Sequence, residues 1–118
     1  MKFLLVAVNA KYIHSNPAVY SLAAYAAEKN PSVKEHIEIA EYTINNRVED
    51  ILADIYKRRP DAVGFSCYIW NIACILELSQ ELHKLLPQTA IWLGGPEVSY
   101  DAGDLLEKYA FLTGIIIG

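Results

Sequence analysis

The chain has 118 residues, of which 53% are hydrophobic and 20% are charged, and its formal net charge at pH 7 is −4. This apolar content excludes a disordered chain, and the length suits one domain with a core of its own. The acidic balance argues against nucleic acid as a partner, and no apolar segment approaches the roughly 20 residues of a membrane-spanning helix.

The cysteine content and the N-terminus bear on the cellular compartment. Only Cys67 and Cys74 are present, and they form neither a disulfide framework nor a metal-ligand spacing. A reducing compartment fits this usage, so we expect a cytoplasmic protein. The apolar N-terminus is too short for a signal peptide, and Asn9 and Lys11 interrupt it. A buried first strand explains it better.

The first third of the chain alternates between extended and helical patterns. The apolar run Phe3–Val8 predicts a strand buried on both faces, and Asn9–Asn16 predicts a loop. Pro17–Lys29 predicts an alanine-rich helix that begins at an Asn-Pro pair and ends at another. His36–Tyr42 alternates between polar and apolar residues, which indicates an edge strand with one solvated face.

The pattern continues to the end of the chain. Asn46 and Glu49 have capping-box spacing at the start of an amphipathic helix from Val48 to Tyr56. The basic triplet Lys57-Arg58-Arg59 then falls in the last helical turn, where cations interact favourably with the helix dipole. The predicted elements that follow are a strand over Ala62–Ser66, a helix from Ile72 to Leu86 that Pro87 ends, a strand over Thr89–Leu93, a short helix over Asp101–Tyr109 and a strand over Leu112–Ile117.

Helix-length connections between successive strands require parallel pairing. Five strands with a polar-faced second strand predict a flavodoxin-like (Rossmann-like) α/β fold, a three-layer sandwich with strand order 2-1-3-4-5. In such sheets ligands bind at the carboxyl ends of the strands. The last strand stops where its loop would begin, so we expect residues 1–118 to be one domain cut from a longer protein.

The loop after the first strand lies at this edge but matches no phosphate-binding motif. It lacks the glycines of a P-loop and of a dinucleotide-binding fingerprint, and Ser66 closes the third strand where a receiver domain would have Asp. His14 in this loop is either a metal ligand or a polar residue before a helix cap. Cys67 lies at the same edge, where a small buried filler is its simpler role. No Ser-His-Asp or paired-carboxylate arrangement is discernible, so we assign no catalytic residue and no metal site.

Small and aromatic residues at the strand ends are more informative. Ser66 offers a hydroxyl without bulk, and Gly94-Gly95 allows a ligand to approach the backbone closely. Four aromatic residues are expected near the same edge, namely Tyr12, Tyr68, Trp70 and Tyr100. They provide either contact area for a flat ligand or a face that packs against the rest of a longer protein.

These features resemble cobalamin-binding domains, whose pattern is D-x-H-x-x-G after the first strand, S-x-L after the third and G-G after the fourth. Here Ser66-Cys67-Tyr68 stands at the second element, with Tyr for Leu, and Gly94-Gly95 at the third, while the first element is absent. Together with Asn16–Tyr25, Pro60–Ser66 and Leu93–Val98, this is similar to the N-terminal domain of cobalamin-dependent radical SAM proteins. That family usually lacks the axial histidine, so the missing first element fits it.

The resemblance implies a cobalamin whose nucleotide tail lies along Ser66 and Gly94-Gly95, with its corrin ring over the sheet edge and no protein imidazole on the cobalt. The residues expected to bind the cofactor are Asn9, Tyr12, His14, Ser66, Cys67, Tyr68, Gly94, Gly95 and Pro96.

The resemblance also implies a radical SAM barrel in the same polypeptide. S-adenosylmethionine and an iron-sulfur cluster would be bound there, and the whole protein would carry out methyl transfer or related radical chemistry. This domain would supply binding and orientation. The alternative is a structural or interaction domain of the same fold that binds no cofactor.

Overall fold

Strands and helices alternate along the chain, and the strands form one parallel sheet. The computed structural model describes residues 2–9, 24, 36–68, 71–94 and 102–116. The elements within these ranges are β1 (Phe3–Asn9), β2 (Ile37–Thr43), α1 (Val48–Arg58), β3 (Ala62–Ser66), α2 (Ile72–Leu85), β4 (Ala90–Gly94), α3 (Ala102–Lys108) and β5 (Gly114–Ile116). Ala24 is helical, and the rest of the helix predicted over Pro17–Lys29 lies outside the described residues. Among the helices of these ranges, none has the length and hydrophobicity needed to cross a bilayer.

The sheet has the predicted topology. Its strand order is β2-β1-β3-β4-β5, and every pairing is parallel. This is the flavodoxin-like, Rossmann-like order expected from the helix-length connections and from the polar alternation of the edge strand. The register pairs Ala7 with Ser66 and Ser66 with Gly94. The carboxyl ends of β1, β3 and β4 therefore lie side by side at one edge.

The main core lies on one face of the sheet, against α1 and α2. Alternate residues of the three central strands, such as Val6, Phe65 and Leu93, are buried there with at most 2% exposure. Each such side chain contributes roughly 1.5–3 kcal/mol relative to full exposure. The helices bury their apolar stripes in the same cluster, with Ile51 and Ile55 from α1 and Ile75, Leu78 and Leu82 from α2.

The opposite face carries a cross-strand row in which glycines flank an indole. Gly64, Trp92 and Gly114 are in register on β3, β4 and β5. A Cβ atom at Gly114 would lie 2.5 Å from Cζ3 and 2.9 Å from Cε3 of Trp92. Gly114 therefore provides the space in which the indole lies across β5.

Polar contacts hold the edge strand β2 to α1. The Tyr42 hydroxyl donates a hydrogen bond to the carboxylate of Asp54, and Nε of Arg58 donates to Asp54 Oδ2 at 3.2 Å. Arg58 also lies 3.7 Å from Glu38 on β2. Burial, together with the bond to Asp54, raises the pKa of Tyr42. The same hydrogen bond, with help from Arg58, lowers the pKa of Asp54.

The predicted cap of α1 is wrong, although the helix begins at Val48 as predicted. The N-cap of α1 is Arg47, without a side-chain cap, so Asn46 and Glu49 do not form a capping box. Asn46 Oδ1 instead accepts a hydrogen bond from the backbone N–H of Thr43 at 2.7 Å, which closes the turn after β2. The other end of α1 agrees with the prediction, since its last turn is basic and Arg59 follows as a left-handed C-cap.

Strand boundaries differ from the predictions by one or two residues. Asn9, predicted to open a loop, ends β1, because its carbonyl oxygen still accepts a ladder-like hydrogen bond from Ile44 N–H at 2.8 Å. β2 and β4 each begin and end one residue later than predicted. β5 begins at Gly114 rather than Leu112.

Two glycine substitutions should separate close packing from simple backbone entropy. Gly114→Ala places a methyl group against the Trp92 indole, so we expect it to lower the free energy of unfolding by about 1–3 kcal/mol. Gly103→Ala is the matched control, since nothing lies within 4 Å of its Cβ position in α3. It should raise the free energy of unfolding by roughly 0.5–1 kcal/mol. Urea denaturation measures both. Equal effects of the two substitutions would contradict the packing of Trp92 on Gly114.

The Tyr42–Asp54 hydrogen bond should make stability depend on pH in a defined window. Tyr42→Phe should lower the free energy of unfolding by about 1 kcal/mol near neutral pH. The raised pKa of Tyr42 means that its contribution is lost as the pH rises above 10.0, the ordinary value. The lowered pKa of Asp54 means that its contribution is lost as the pH falls below 3.8 and through the lowered value. Denaturation of both proteins across this range should show the largest difference between those limits, and a difference independent of pH would contradict the bond.

Candidate functional site

A row of small residues crosses the sheet at its carboxyl edge. Ala7, Ser66 and Gly94 lie side by side on β1, β3 and β4. Because strand residues alternate between faces, this row is on the face opposite the main core. Ala7 is 0% exposed, Ser66 is 9% exposed and Gly94 is half-buried. The row therefore becomes more open toward β4, and no side chain in it is larger than that of serine.

Asn71 joins the ends of β1 and β3. Its side-chain Nδ2 donates hydrogen bonds to the carbonyl oxygens of Val8 at 2.9 Å and Ser66 at 3.1 Å. Its Oδ1 accepts a hydrogen bond from the backbone N–H of Tyr68 at 2.7 Å. Asn71 is only 1% exposed, so water offers little replacement for these bonds. One amide thus fixes two strand ends and the loop that follows β3.

Asn71 also stands where the chain enters α2. It is the N-cap of α2, yet its side chain makes no cap hydrogen bond to that helix. The backbone N–H groups of Asn71 and Ile72 both donate to the carbonyl oxygen of Tyr68, at 3.1 and 3.0 Å. These bonds hold the start of α2 to Tyr68, while the side-chain amide of Asn71 bonds to the ends of β1 and β3.

The sequence alone does not indicate that Asn71 joins two strands. An asparagine just before an amphipathic helix predicts an N-cap. Nothing in that local signal indicates a hydrogen bond to a residue 63 positions earlier in the chain. Only the strand order, which makes β1 the neighbour of β3, brings the two together.

The β3–β4 pairing continues into the loop that follows β3. The backbone N–H of Cys67 donates to the carbonyl oxygen of Gly94 at 2.7 Å. The Cys67 side chain is fully buried in the main core, which confirms its predicted role as a small buried filler. Its predicted contact with a ligand stays a prediction.

Asn9 completes this edge on the side of β2. It is 4% exposed, and its Nδ2 donates to Glu41 Oε1 at 3.3 Å. The structure thus brings Asn9, Ser66, Cys67, Tyr68 and Gly94 to one edge of the sheet. The other predicted binding residues, Tyr12, His14, Gly95 and Pro96, lie outside the described residues, as do the aromatic residues Trp70 and Tyr100.

The chemistry of this edge suits binding and orientation. Within residues 2–9, 24, 36–68, 71–94 and 102–116, no three His, Cys, Asp or Glu side chains are placed to hold a metal ion. Burial, and to a lesser degree Glu77, raises the pKa of the Cys74 thiol in α2. That thiol is therefore protonated near neutral pH and is a weak nucleophile. Hydroxyl, amide and backbone groups at the edge can form hydrogen bonds with a polar ligand.

Comparisons with known proteins identify the family and the fold of the chain. The family model of the B12 binding domain matches residues 4–118. The cobalamin-dependent radical SAM methyltransferase TokK of Streptomyces tokunonensis is 28% identical over 53 residues, which are 45% of this chain and 8% of that protein. A crystal structure of a novel cobalamin-binding protein from Desulfitobacterium hafniense DCB-2 matches with a TM-score of 0.62 and 14% identity. That match covers 98% of this chain and 52% of the other, and it shows a shared fold.

Substitution of Asn71 tests whether its amide joins the strand ends. Asn71→Ala leaves two carbonyl groups and one N–H group without their side-chain partner, and we expect a loss of about 2–3 kcal/mol in the free energy of unfolding. Asn45→Ala, in an exposed turn, is the matched control and should change it by less than about 0.5 kcal/mol.

Asn71→Asp gives the same test a pH dependence. The carboxylate keeps the acceptor for Tyr68 but faces the carbonyl oxygens of Val8 and Ser66, which should raise its pKa. The destabilisation relative to wild type should therefore shrink as the pH falls through that raised value. If Asn71→Ala were as stable as Asn45→Ala, or the defect of Asn71→Asp did not change with pH, the assignment would be wrong.

Proposed function

Because the chain belongs to the B12 binding domain family, we propose that it holds a cobalamin at the carboxyl edge of its sheet. The observation that carries the proposal is the row formed by Ala7, Ser66 and Gly94. Larger side chains at these three positions would fill the space beside the backbone that an extended cofactor tail needs. The row opens toward β4, which favours an entry above β3 and β4.

The residues of this edge would have different roles in binding cobalamin. The Ser66 hydroxyl donates a hydrogen bond to, or accepts one from, a polar group of the tail. Gly94 lets the tail lie close to the backbone of β4. Asn71 keeps β1 and β3 at a fixed separation through its bonds to Val8 and Ser66. Gly95, Pro96, Tyr12, His14 and Tyr68 are proposed to contact the rest of the cofactor, as the family resemblance implies.

Cobalamin, when bound, would supply methyl-transfer or related radical chemistry. The chain's own residues would bind and orient it. Asn9 faces the same edge, with its amide held by Glu41.

We further propose that this domain works within a radical SAM polypeptide. The support is the 28% identity to a cobalamin-dependent radical SAM methyltransferase, which extends over 8% of that protein. The chain spans about half of its structural neighbour and less than a tenth of the methyltransferase. A barrel that binds S-adenosylmethionine and an iron-sulfur cluster would then cover the upper face of the cofactor. A cytoplasmic location stays a prediction.

Titration with hydroxocobalamin, followed by absorbance, tests the proposal. We expect saturable but weak binding to this chain, because a barrel would normally cover the upper face of the cofactor. Gly94→Val should weaken binding by at least about tenfold, since its side chain would occupy the tail space. Ala90→Val is the matched control, because residue 90 is on the same strand and face but at the amino end. It should leave the affinity unchanged.

Two results would contradict the assignment. If Gly94→Val bound cobalamin as tightly as Ala90→Val, the tail would lie elsewhere. If hydroxocobalamin caused no saturable change in absorbance with the folded wild-type chain, the alternative of a structural or interaction domain without cofactor would be favoured. Circular dichroism melting of each protein establishes that it is folded.

A further inference from the structure

An apolar groove lies on the outer side of α1, where this helix meets the end of α2. Its volume is about 450 Å³, and the proposed cobalamin site does not use it. Leu85, at the end of α2, is 48% exposed beside it. This surface, called the α1 groove below, is lined by Glu49, Leu52, Ala53, Tyr56, Lys57 and Leu85.

The residues of α1 in this groove are arranged symmetrically about Ala53. Glu49, Ala53 and Lys57 follow each other at intervals of four residues and therefore lie along one side of the helix. Glu49 is in the acidic first turn and Lys57 in the basic last turn. Ala53 is exposed and too small to keep a second helix away. The negative charge of Glu49 and the positive charge of Lys57 thus lie on opposite sides of Ala53, each about 6 Å from it along the helix axis.

We propose that the α1 groove is the contact surface of a homodimer. In this dimer α1 packs antiparallel against α1 of a second copy, and the two-fold axis passes by Ala53. Glu49 of each copy then faces Lys57 of the other copy, because an isologous contact repeats every pair. The antiparallel arrangement also places the positive end of each helix dipole near the negative end of the other.

The charges and apolar area of one chain supply the whole contact. Leu52, Tyr56 and Leu85 of both copies would be covered together, which removes exposed apolar surface from water. A different partner would need its own apolar surface with a cation at one end and an anion at the other. A second copy of this chain has that pattern already.

Existing contacts of these residues do not oppose the dimer. Glu49 lies 3.4 Å from Arg47, and the two side chains are 72% and 75% exposed. Such surface ion pairs contribute little to stability, so Glu49 can exchange this partner for Lys57 of a second copy. The Arg59 guanidinium lies 4.4 Å from the centre of the Tyr56 ring and donates a hydrogen bond to its hydroxyl. That contact leaves Ala53 accessible.

Sedimentation of the chain over a wide concentration range tests the proposal first. We expect the mass to rise from one chain to two with increasing concentration. Ala53→Glu should abolish the rise, because it places bulk and charge at the closest approach of the two helices. Ala73→Glu is the matched control, since Ala73 is also an exposed helical alanine but lies on α2 outside the groove. It should dimerise like wild type.

Charge reversal then tests the antiparallel arrangement. Glu49→Lys and Lys57→Glu should each weaken self-association by at least about tenfold. The double variant should restore it, and an equal mixture of the two single variants should form a heterodimer, because both cross pairs are again of opposite sign. Melting temperatures identify any variant that fails to fold, and Ala53→Glu keeps the test independent of the helix-dipole cost of the charge changes.

Two outcomes would overturn the homodimer. One is a wild-type chain that sediments as a monomer at every concentration, as it would if another segment or domain occupied the groove. The other is a dimer that neither Ala53→Glu nor charge reversal weakens. Neither outcome bears on cobalamin binding, which is measured separately.

Discussion

The amide of Asn71 is the contact on which the carboxyl edge of this sheet depends. In a sheet of order 2-1-3-4-5, β1 and β3 are neighbours. Folds of this kind bind their ligands outside the carboxyl ends of these strands. Asn71 donates hydrogen bonds to the carbonyl oxygens of Val8 and Ser66, near the carboxyl ends of these two strands. Its third hydrogen bond fixes the start of the loop after β3. A buried side chain therefore fixes the carboxyl ends of β1 and β3 relative to each other.

The two faces of the sheet serve different purposes, and their residue sizes reflect this. The face against α1 and α2 is filled by large aliphatic side chains and Phe65, which supply most of the hydrophobic stabilisation. On the other face, glycine or a small residue occupies positions 64, 66, 94 and 114, in register across neighbouring strands. There the space is used by the Trp92 indole in one row and, in the proposed function, by a cofactor tail in the next. The register of β3, β4 and β5 places the residues of both rows.

Much of this architecture could be predicted from the sequence. Helix-length connections and the polar alternation of β2 were sufficient to predict the strand order. The small residues at the ends of β3 and β4 indicated a binding edge. The role of Asn71 could not be predicted, because its partners are brought near only by the strand order. The capping box predicted at Asn46 failed for a local reason. Its side chain accepts a hydrogen bond from the backbone N–H of Thr43, which competes with helix capping. The space for Trp92 at Gly114 likewise required the register of β4 with β5.

We propose that cobalamin lies along Ser66 and Gly94 at the carboxyl edge. Chemical-shift mapping of the ¹⁵N-labelled chain with hydroxocobalamin can locate it, because each backbone amide reports on its own residue. The largest shifts are expected at Ser66, Cys67 and Gly94, with little change at Ala62 and Ala90 on the amino edge. Shifts confined to the amino edge or to α1, or an unchanged spectrum at saturating cofactor, would contradict it.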